Sequence, residues 1–175
     1  MRSIVLLSRQ SKHFTDAIVD KTVDPDDIGQ IVAKIRQEKK TIATLNGSFD
    51  LLQAGHLEII YQASLQADTL IVALNTDRSI QQYKSPLRPI ISLEYRLQLL
   101  AALWMVDYVT WFDETDPGEI LKKIQPDVHV NGAEYGETCI EAETVKSFGG
   151  RLHFVPRIPG LATSDIIKKI LRTCG

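Results

Sequence analysis

Residues 41–56 constrain the fold of this chain more than any other segment. They open with a short apolar run rich in β-branched residues that ends at Asn46-Gly47, and after a tight loop Gly55-His56 opens an amphipathic stretch. The pattern predicts a strand, a tight turn and a helix with a histidine in its first turn. Free amides at a helix start, and a glycine that lets the backbone approach a ligand, suit the binding of a phosphate group.

Strands and helices alternate along the rest of the chain. Strands are expected at 41–46, 70–74, 108–112, 128–130 and 152–155. Helices are expected at 24–38, 55–66, 92–103, 117–124 and 163–171. Because strands that alternate with helices form parallel sheets with right-handed crossovers, we predict an α/β, Rossmann-like three-layer sandwich with a five-stranded parallel sheet. The length predicts a single domain over 1–175, with 1–24 as an N-terminal extension of unknown role.

Several side chains have a structural interpretation. Tyr95, Leu99 and Ala102 recur at helical spacing and are expected to form one stripe of their helix. His129 lies inside an apolar strand pattern, as does His153, and both are expected to be structural. The tryptophans Trp104 and Trp111 are expected in the core or at an interface.

Polar clusters follow the predicted strands at 46–56, 75–77, 131–135 and 156–164. Ligands of open parallel sheets bind outside the carboxyl ends of the strands, where the strand order reverses. The four clusters are therefore expected to meet at one edge of the sheet and to form a binding site.

Composition and charge exclude several classes of function. A net charge of −2 gives no basic footprint for nucleic acid. No apolar run reaches 18 residues, and Cys139 and Cys174 have neither metal nor redox spacing, so we expect a cytoplasmic protein without a membrane span. An NAD(P)-dependent oxidoreductase is a weaker alternative, since Asn75 and Asp77 end the second strand where a ribose-binding acid is found, but the first turn lacks Gly-x-Gly-x-x-Gly. A P-loop NTPase is excluded, because no Gly-x4-Gly-Lys-Ser/Thr occurs.

Four sequence blocks together resemble the cytidylyltransferase-like nucleotidyltransferase superfamily, which carries Gly-x-Phe-Asp followed by His-x-Gly-His. The blocks are Asn46 to His56, Ile71 to Asp77, Lys84-x3-Arg88-Pro89-Ile90 running on to Arg96, and Gly160 to Ile167. Within the superfamily the chain is most similar to the adenylyltransferase domain of ADP-heptose synthase. The resemblance covers about residues 25–172 in the same order.

The resemblance implies a particular reaction and its partners. A phosphate of a small acceptor attacks the α-phosphate of a nucleoside triphosphate, and pyrophosphate leaves. Mg²⁺ is expected to arrive on the triphosphate, because no cluster of carboxylates suggests a metal site in the protein. The expected partners are a nucleoside triphosphate, a small phosphorylated acceptor such as heptose 1-phosphate, and a second copy of the chain in a homodimer, with neither nucleic acid nor membrane.

The resemblance also implies roles for individual residues. The expected catalytic residues are Gln53, His56, Lys84 and Arg88. The expected nucleotide-binding residues are Asn46, Gly47, Ser48, Phe49, Gly55, His56, Asn131, Gly132, Glu134, Thr163 and Ser164. The expected acceptor-binding residues are Asp50, Asn75 and Asp77. His56 and Thr163-Ser164 each begin a predicted helix, so both helix starts are expected to converge on one triphosphate.

Two positions depart from the family pattern. Gln53 replaces the first histidine of His-x-Gly-His, and a neutral amide brings no positive charge. Asn131 and Glu134 replace the lysine and aspartate of Lys-Gly-x-Asp-Tyr, which leaves the acceptor open. Two alternatives therefore remain. One is a CTP-dependent cytidylyltransferase that acts on glycerol 3-phosphate or a phosphoalcohol, to whose signature residues 157–166 are similar. The other is a nucleotide-binding protein with weakened or lost catalysis.

Overall fold

The computed structural model describes residues 14–156, 158 and 162–174. Five strands form one sheet: β1 Ile42–Gly47, β2 Thr69–Asn75, β3 Tyr108–Phe112, β4 Val128–Gly132 and β5 Arg151–Val155. The helices are α1 Phe14–Val19, α2 Ile28–Gln37, α3 Ala54–Ser64, α4 Asp77–Tyr83, α5 Leu93–Ala101, α6 Gly118–Ile124, α7 Ala142–Ser147 and α8 Thr163–Cys174. A short 3-10 helix, Ala133–Tyr135, follows β4. The strand order is β3-β2-β1-β4-β5 and all four neighbouring pairs are parallel, which confirms the predicted Rossmann-like fold.

The sheet is covered on both faces because its central strands are apolar on both sides. Successive side chains of a strand point to opposite faces. Ala43 and Leu45 of β1 pack into one core cluster with residues of α3 and α5, whereas Ile42 packs into a second cluster with residues of α2 and α6. Every residue of β2 is buried, as expected for a strand with helices on both faces.

The chain path positions a cleft at the carboxyl end of the sheet. From the central strand β1 the chain adds β2 and β3 on one side and then crosses over to add β4 and β5 on the other. The connections that leave β1 and β4 therefore run to opposite faces of the sheet. This reversal is the position at which open α/β sheets bind ligands.

Short polar elements differ from the sequence prediction. Helices α4 and α7 and the 3-10 turn after β4 were not predicted, because each presents only a turn or two and few apolar residues. Helix α1 lies within 1–24, for which we predicted no structure, and residues 1–13 lie outside the described residues. The cluster expected at 156–164 is described only in part, without 157 and 159–161.

Helix α5 and Trp104 both carry apolar side chains at the protein surface. The buried stripe of α5 is Leu97, Leu100 and Ala101, whereas Tyr95 and Leu99 are exposed. The predicted stripe of Tyr95, Leu99 and Ala102 is therefore an exposed face of α5, because tertiary contacts select another face for the core. Trp104 is 78% exposed and does not lie in the core, although its ring meets that of Tyr61 at 6.4 Å between centroids.

Trp111 is partly buried against the first core cluster, as predicted. His129 is fully buried, and its Nδ1 lies 2.8 Å from the Thr44 hydroxyl. These positions support a structural role for His129, and His153 lies partly buried in β5.

Candidate active site

The loop between β1 and α3 has an unusual backbone that shapes the cleft. Phe49 and Leu51 adopt positive φ angles of 46° and 55°, which are uncommon for residues other than glycine. The Phe49 side chain is buried in the core and its ring lies beside Gly47, where an added Cβ would approach it to 3.4 Å. The ring also meets His56 edge-on at 5.5 Å between centroids. The buried Phe49 side chain therefore anchors the loop in the core, and its ring contact helps to position His56.

His56 lies in the first turn of α3 and faces the cleft. Burial and the positive charge of Lys84 lower the pKa of His56. The ring is therefore neutral at pH 7, with one nitrogen able to donate a hydrogen bond. Its Nδ1 is buried and has no hydrogen-bond partner among the described residues. This ring, at the positive end of the α3 dipole, suits an anionic oxygen.

Gln53 is the N-cap of α3. Its side-chain oxygen accepts a hydrogen bond from the amide of Gly55, and its backbone is extended. Because the helix begins at Ala54, Gln53 and His56 both reach the cleft from the same helix start. The residue that replaces the family histidine thus has a local structural role.

Two cations on the segment after α4 reach the loop that follows β1. Lys84 Nζ donates to the Ser48 hydroxyl at 2.8 Å, and partial burial together with the charge of Arg88 lowers the pKa of Lys84. Arg88 pairs with Asp50, whose side chain is fully buried, at 2.5 Å. Asp50 also accepts hydrogen bonds from the amides of Ile90 and Ile91 at 3.0 Å. Asp50 therefore fastens the cation-bearing segment to the β1 loop.

Arg96 joins three segments beneath the cleft. Its side chain is fully buried and donates to the carbonyls of Ser48, Asn75 and Ile91. It also pairs with Asp77 at 2.6 Å. Asp77 accepts a further hydrogen bond from the Leu93 amide. A single guanidinium thus fixes the chain segments after β1, after β2 and before α5 relative to one another.

A buried carboxylate that the sequence analysis missed lies at the reversal of strand order. Glu141 is 5% exposed, and its two oxygens accept from the amides of Asn46 at 3.2 Å and Asn131 at 3.1 Å. Burial and the nearby Glu141 carboxylate raise the pKa of the Cys139 thiol. Asn46 lies near the carboxyl end of β1 and Asn131 belongs to β4, so Glu141 bridges the two strands on either side of the reversal.

The start of α8 reaches the same cleft as the start of α3. The Thr163 hydroxyl donates to the carbonyl of Asp50 at 3.0 Å, so α8 begins against the β1 loop. The cleft has a volume of about 680 Å³, within the range of small-ligand sites. Both helix starts therefore face one space that has room for a nucleotide.

Most of the predicted site residues line this cleft: Asn46, Gly47, Ser48, Phe49, Gln53, Gly55, His56, Asn75, Lys84, Arg88, Asn131, Gly132, Glu134, Thr163 and Ser164. The acidic residues Asp50 and Asp77, predicted to bind the acceptor, do not line it and pair with Arg88 and Arg96 instead. Besides Glu141, the cleft is lined by Tyr83, Phe112 and Thr115 near the ends of α4 and β3, none of which was predicted. Nothing in the local pattern of 139–142 marks Glu141 as a site residue.

The described part of the chain holds no group of three or more histidine, cysteine or acidic residues able to bind a metal ion. A magnesium cage made of protein carboxylates is therefore not found in residues 14–156, 158 and 162–174. In the same ranges no helix is long and apolar enough to cross a bilayer.

Comparisons with known proteins identify relatives of this chain. A family model described as Cytidylyltransferase-like matches residues 44–168. The Bifunctional protein HldE of Syntrophotalea carbinolica is 41% identical over 137 residues, which are 78% of this chain and 28% of that protein. The protein of the same name from Koribacter versatilis is 39% identical over 150 residues, 85% of this chain and 31% of that protein. The chain thus spans about three tenths of these relatives.

Solved structures share the fold. A pantoate-beta-alanine ligase from Francisella tularensis superposes with a TM-score of 0.60 at 18% identity, over 87% of this chain and 79% of that chain. A lipopolysaccharide core biosynthesis protein from Thermoplasma volcanium superposes with a TM-score of 0.55 at 24% identity, over 68% of this chain and 97% of that chain. The family match over most of the sequence, with this fold and cleft, confirms the resemblance seen in the four sequence blocks: the chain belongs to the cytidylyltransferase-like family of nucleotidyltransferases.

Proposed function

We propose that this chain transfers AMP from Mg-ATP to a sugar phosphate of the heptose 1-phosphate type and releases pyrophosphate. One observation carries the proposal. The starts of α3 and α8 open into the same cleft beside Lys84 and Arg88, so the positive ends of two helix dipoles and two cations surround one space. Such a cleft suits a triphosphate.

The reaction needs positioning and charge neutralisation. An oxygen of the acceptor phosphate attacks the α-phosphorus, a new phosphorus–oxygen bond forms, and the bond to the bridging oxygen breaks. Pyrophosphate leaves with that electron pair. His56, as a neutral ring, donates a hydrogen bond to an α-phosphate oxygen, and Lys84 neutralises charge that develops on the leaving group. Mg²⁺ carried by the nucleotide would supply further neutralisation.

The positions of Asp50 and Arg96 support roles in positioning. Arg88 is held by the buried Asp50, and the two loops beside the phosphates are joined by Arg96. These contacts keep the cations in place before substrate arrives, which lowers the reorganisation needed during the reaction. Asp50 and Asp77 are therefore proposed to position the arginines that they bind, and not to contact the acceptor themselves.

The choice of ATP and a sugar phosphate rests on the sequence resemblance and on the HldE relatives. The acceptor is expected at the ends of β2 and β3, where Asn75, Tyr83 and Thr115 line the cleft. The Tyr83 hydroxyl lies 3.4 Å from the Asn75 side-chain oxygen. The homodimer and the cytoplasmic location remain predictions.

The test is pyrophosphate release by the purified chain with Mg-ATP or Mg-CTP, each with heptose 1-phosphate, glycerol 3-phosphate and phosphocholine. We expect turnover with ATP and heptose 1-phosphate. Lys84→Gln should lower kcat/KM by about 100-fold, in line with removal of one transition-state contact. The matched control is Lys123→Gln, because Lys123 contacts Pro25 and Asp26 outside the cleft. Turnover with CTP alone would replace the proposed activity by the cytidylyltransferase alternative.

A second candidate, nucleotide binding without transfer, is favoured by the cap at Gln53. Its side-chain oxygen is engaged with Gly55, and its amide brings no charge to the phosphates. If the chain is a transferase weakened by this replacement, Gln53→His should raise kcat/KM between several-fold and about tenfold, because a charged donor interacts more strongly with a phosphate oxygen. If wild-type chain binds nucleotide but releases no pyrophosphate with any acceptor, and Gln53→His does not change this, the binding function is supported and the transferase is refuted.

A further inference from the structure

Glu141 is a buried carboxylate that the proposed reaction does not use. Its exposure is 5%, and no lysine or arginine forms an ion pair with it in the ranges that the structure describes. Two neutral amides, from Asn46 and Asn131, donate to it. An ionised carboxylate away from water is unfavourable unless hydrogen bonds compensate it.

Glu141 lines the cleft and has hydrogen-bonding capacity beyond the two amides. A carboxylate has about four acceptor positions, and the two amides occupy two of them. The Cys139 thiol lies within hydrogen-bonding reach and is a weak donor. A ligand that binds here must therefore bring hydrogen-bond donors. A phosphate group brings only acceptors and negative charge, and the carboxylate would repel it.

Charge divides the cleft into two ends. Lys84 and Arg88 lie on the side of β1 and β2. Glu134 and Glu141 lie on the side of β4, and the Glu134 carboxylate is so near the backbone of Gly132 that a Cβ added there would clash with it. A nucleotide matches this division, since its phosphates are anionic and the adjoining ribose carries two hydroxyl donors.

We propose that Glu141 accepts hydrogen bonds from the ribose hydroxyls of the nucleotide and so selects ribonucleotides over deoxyribonucleotides. The inference rests on the proposed function. The ribose adjoins the α-phosphate, and the Glu141 partner Asn46 is two residues before Ser48, which binds Lys84. The ribose is therefore the part of the nucleotide that reaches Glu141 when the phosphates reach Lys84. Carboxylates recognise ribose hydroxyls in the same way in dinucleotide sites.

The experiment measures equilibrium binding of ATP, 2′-deoxyATP and 3′-deoxyATP, with the CTP series alongside, by calorimetry in the presence of Mg²⁺. Wild-type chain is expected to bind the better ribonucleotide about tenfold or more tightly than at least one deoxy analogue. Glu141→Gln should reduce this ratio to less than about threefold. Glu58→Gln is the matched control, because Glu58 also lines the cleft but contacts Gln62 on α3, and it should keep the wild-type ratio.

Inorganic tripolyphosphate separates this inference from the proposed function. Glu141→Gln should bind it as tightly as wild type or more tightly, because a negative charge has been removed. If wild type binds neither nucleotide nor tripolyphosphate, the proposed function and this inference fall together. If wild type binds ATP and both deoxy analogues equally, the inference is overturned while the proposed function stands. Should Glu141→Gln not fold, Glu141→Asp, which keeps the charge but shortens the side chain, is expected to lose at least threefold of the preference, and an unchanged ratio would overturn the inference.

Discussion

Replacement of Arg96 by methionine tests whether one buried guanidinium holds the cleft together. The substitution keeps a long side chain and removes every donor. Arg96 donates to the carbonyls of Ser48 at 2.7 Å, Asn75 at 3.0 Å and Ile91 at 2.9 Å. It also pairs with Asp77 at 2.6 Å. Four acceptors on three chain segments lose their partner at once.

The magnitude follows from the surroundings of these acceptors. An unsatisfied buried polar group destabilises by about 1–3 kcal/mol, and removal of one partner of a buried ion pair by about 3–5 kcal/mol. The Asp77 side chain is 38% exposed, so water replaces part of its lost pairing. Water also reaches the part-buried contacts with Ser48 and Ile91, which leaves the Asn75 carbonyl and the Asp77 carboxylate as the main losses. We therefore expect Arg96→Met to lower the free energy of unfolding by about 3–5 kcal/mol, a large part of the usual total of about 5–15 kcal/mol.

The assay is urea unfolding followed by circular dichroism at pH 7.5. Arg78→Ala is the control, because Arg78 also pairs with an aspartate, Asp113, but its side chain is 73% exposed. An exposed pair contributes about 0–1 kcal/mol, so this variant should stay within about 1 kcal/mol of wild type. If Arg96→Met is as stable as Arg78→Ala, and ATP binding is also unchanged, Arg96 does not organise the site and the reasoning is refuted.

Two further predictions concern histidines. His56→Ala should lower kcat/KM by about 100-fold or more. Because the pKa of His56 is lowered, wild-type kcat should stay level between pH 7 and 8 in stopped-assay measurements, and a rise on acidification would contradict the neutral ring. His129, by contrast, should affect stability. Burial lowers its pKa from 6.5 to about 3. The contribution of the neutral His129 ring to the free energy of unfolding is therefore complete above pH 6.5 and is lost as pH falls from 6.5 towards 3. Between pH 7 and 5 the wild type should lose about 2 kcal/mol more than His129→Gln in urea titrations, and equal losses would show that His129 does not titrate as argued.

The sheet could be predicted from the sequence because its signals are local. Each strand is a short apolar run, and β2 is buried over its whole length. Helix α4 was missed because its seven residues contain a single core residue, Ile80, and one residue cannot show the helical spacing of apolar side chains. The sequence pattern does not show which face of α5 is buried, because Leu97 and Tyr95 are both apolar enough to face a core. Which of them does so depends on the neighbouring strands and helices.

The two ends of the cleft differ in how far sequence can predict them. The cation end is carried by contiguous blocks, since Lys84 and Arg88 lie four residues apart and the β1 loop they contact is itself one short segment. The acidic end is assembled by tertiary contacts, since Glu141 meets Asn46 across 95 residues of chain and lies in a segment with no motif of its own. In the proposed function, phosphate binding, which many nucleotides share, depends on the cation end. Discrimination between ligands needs donors and acceptors specific to one of them, and the further inference assigns these to the acidic end. The sequence therefore indicates the class of reaction more readily than the substrate, and the replacement of a family lysine by Asn131 acquires a physical meaning only when its contact with Glu141 is seen.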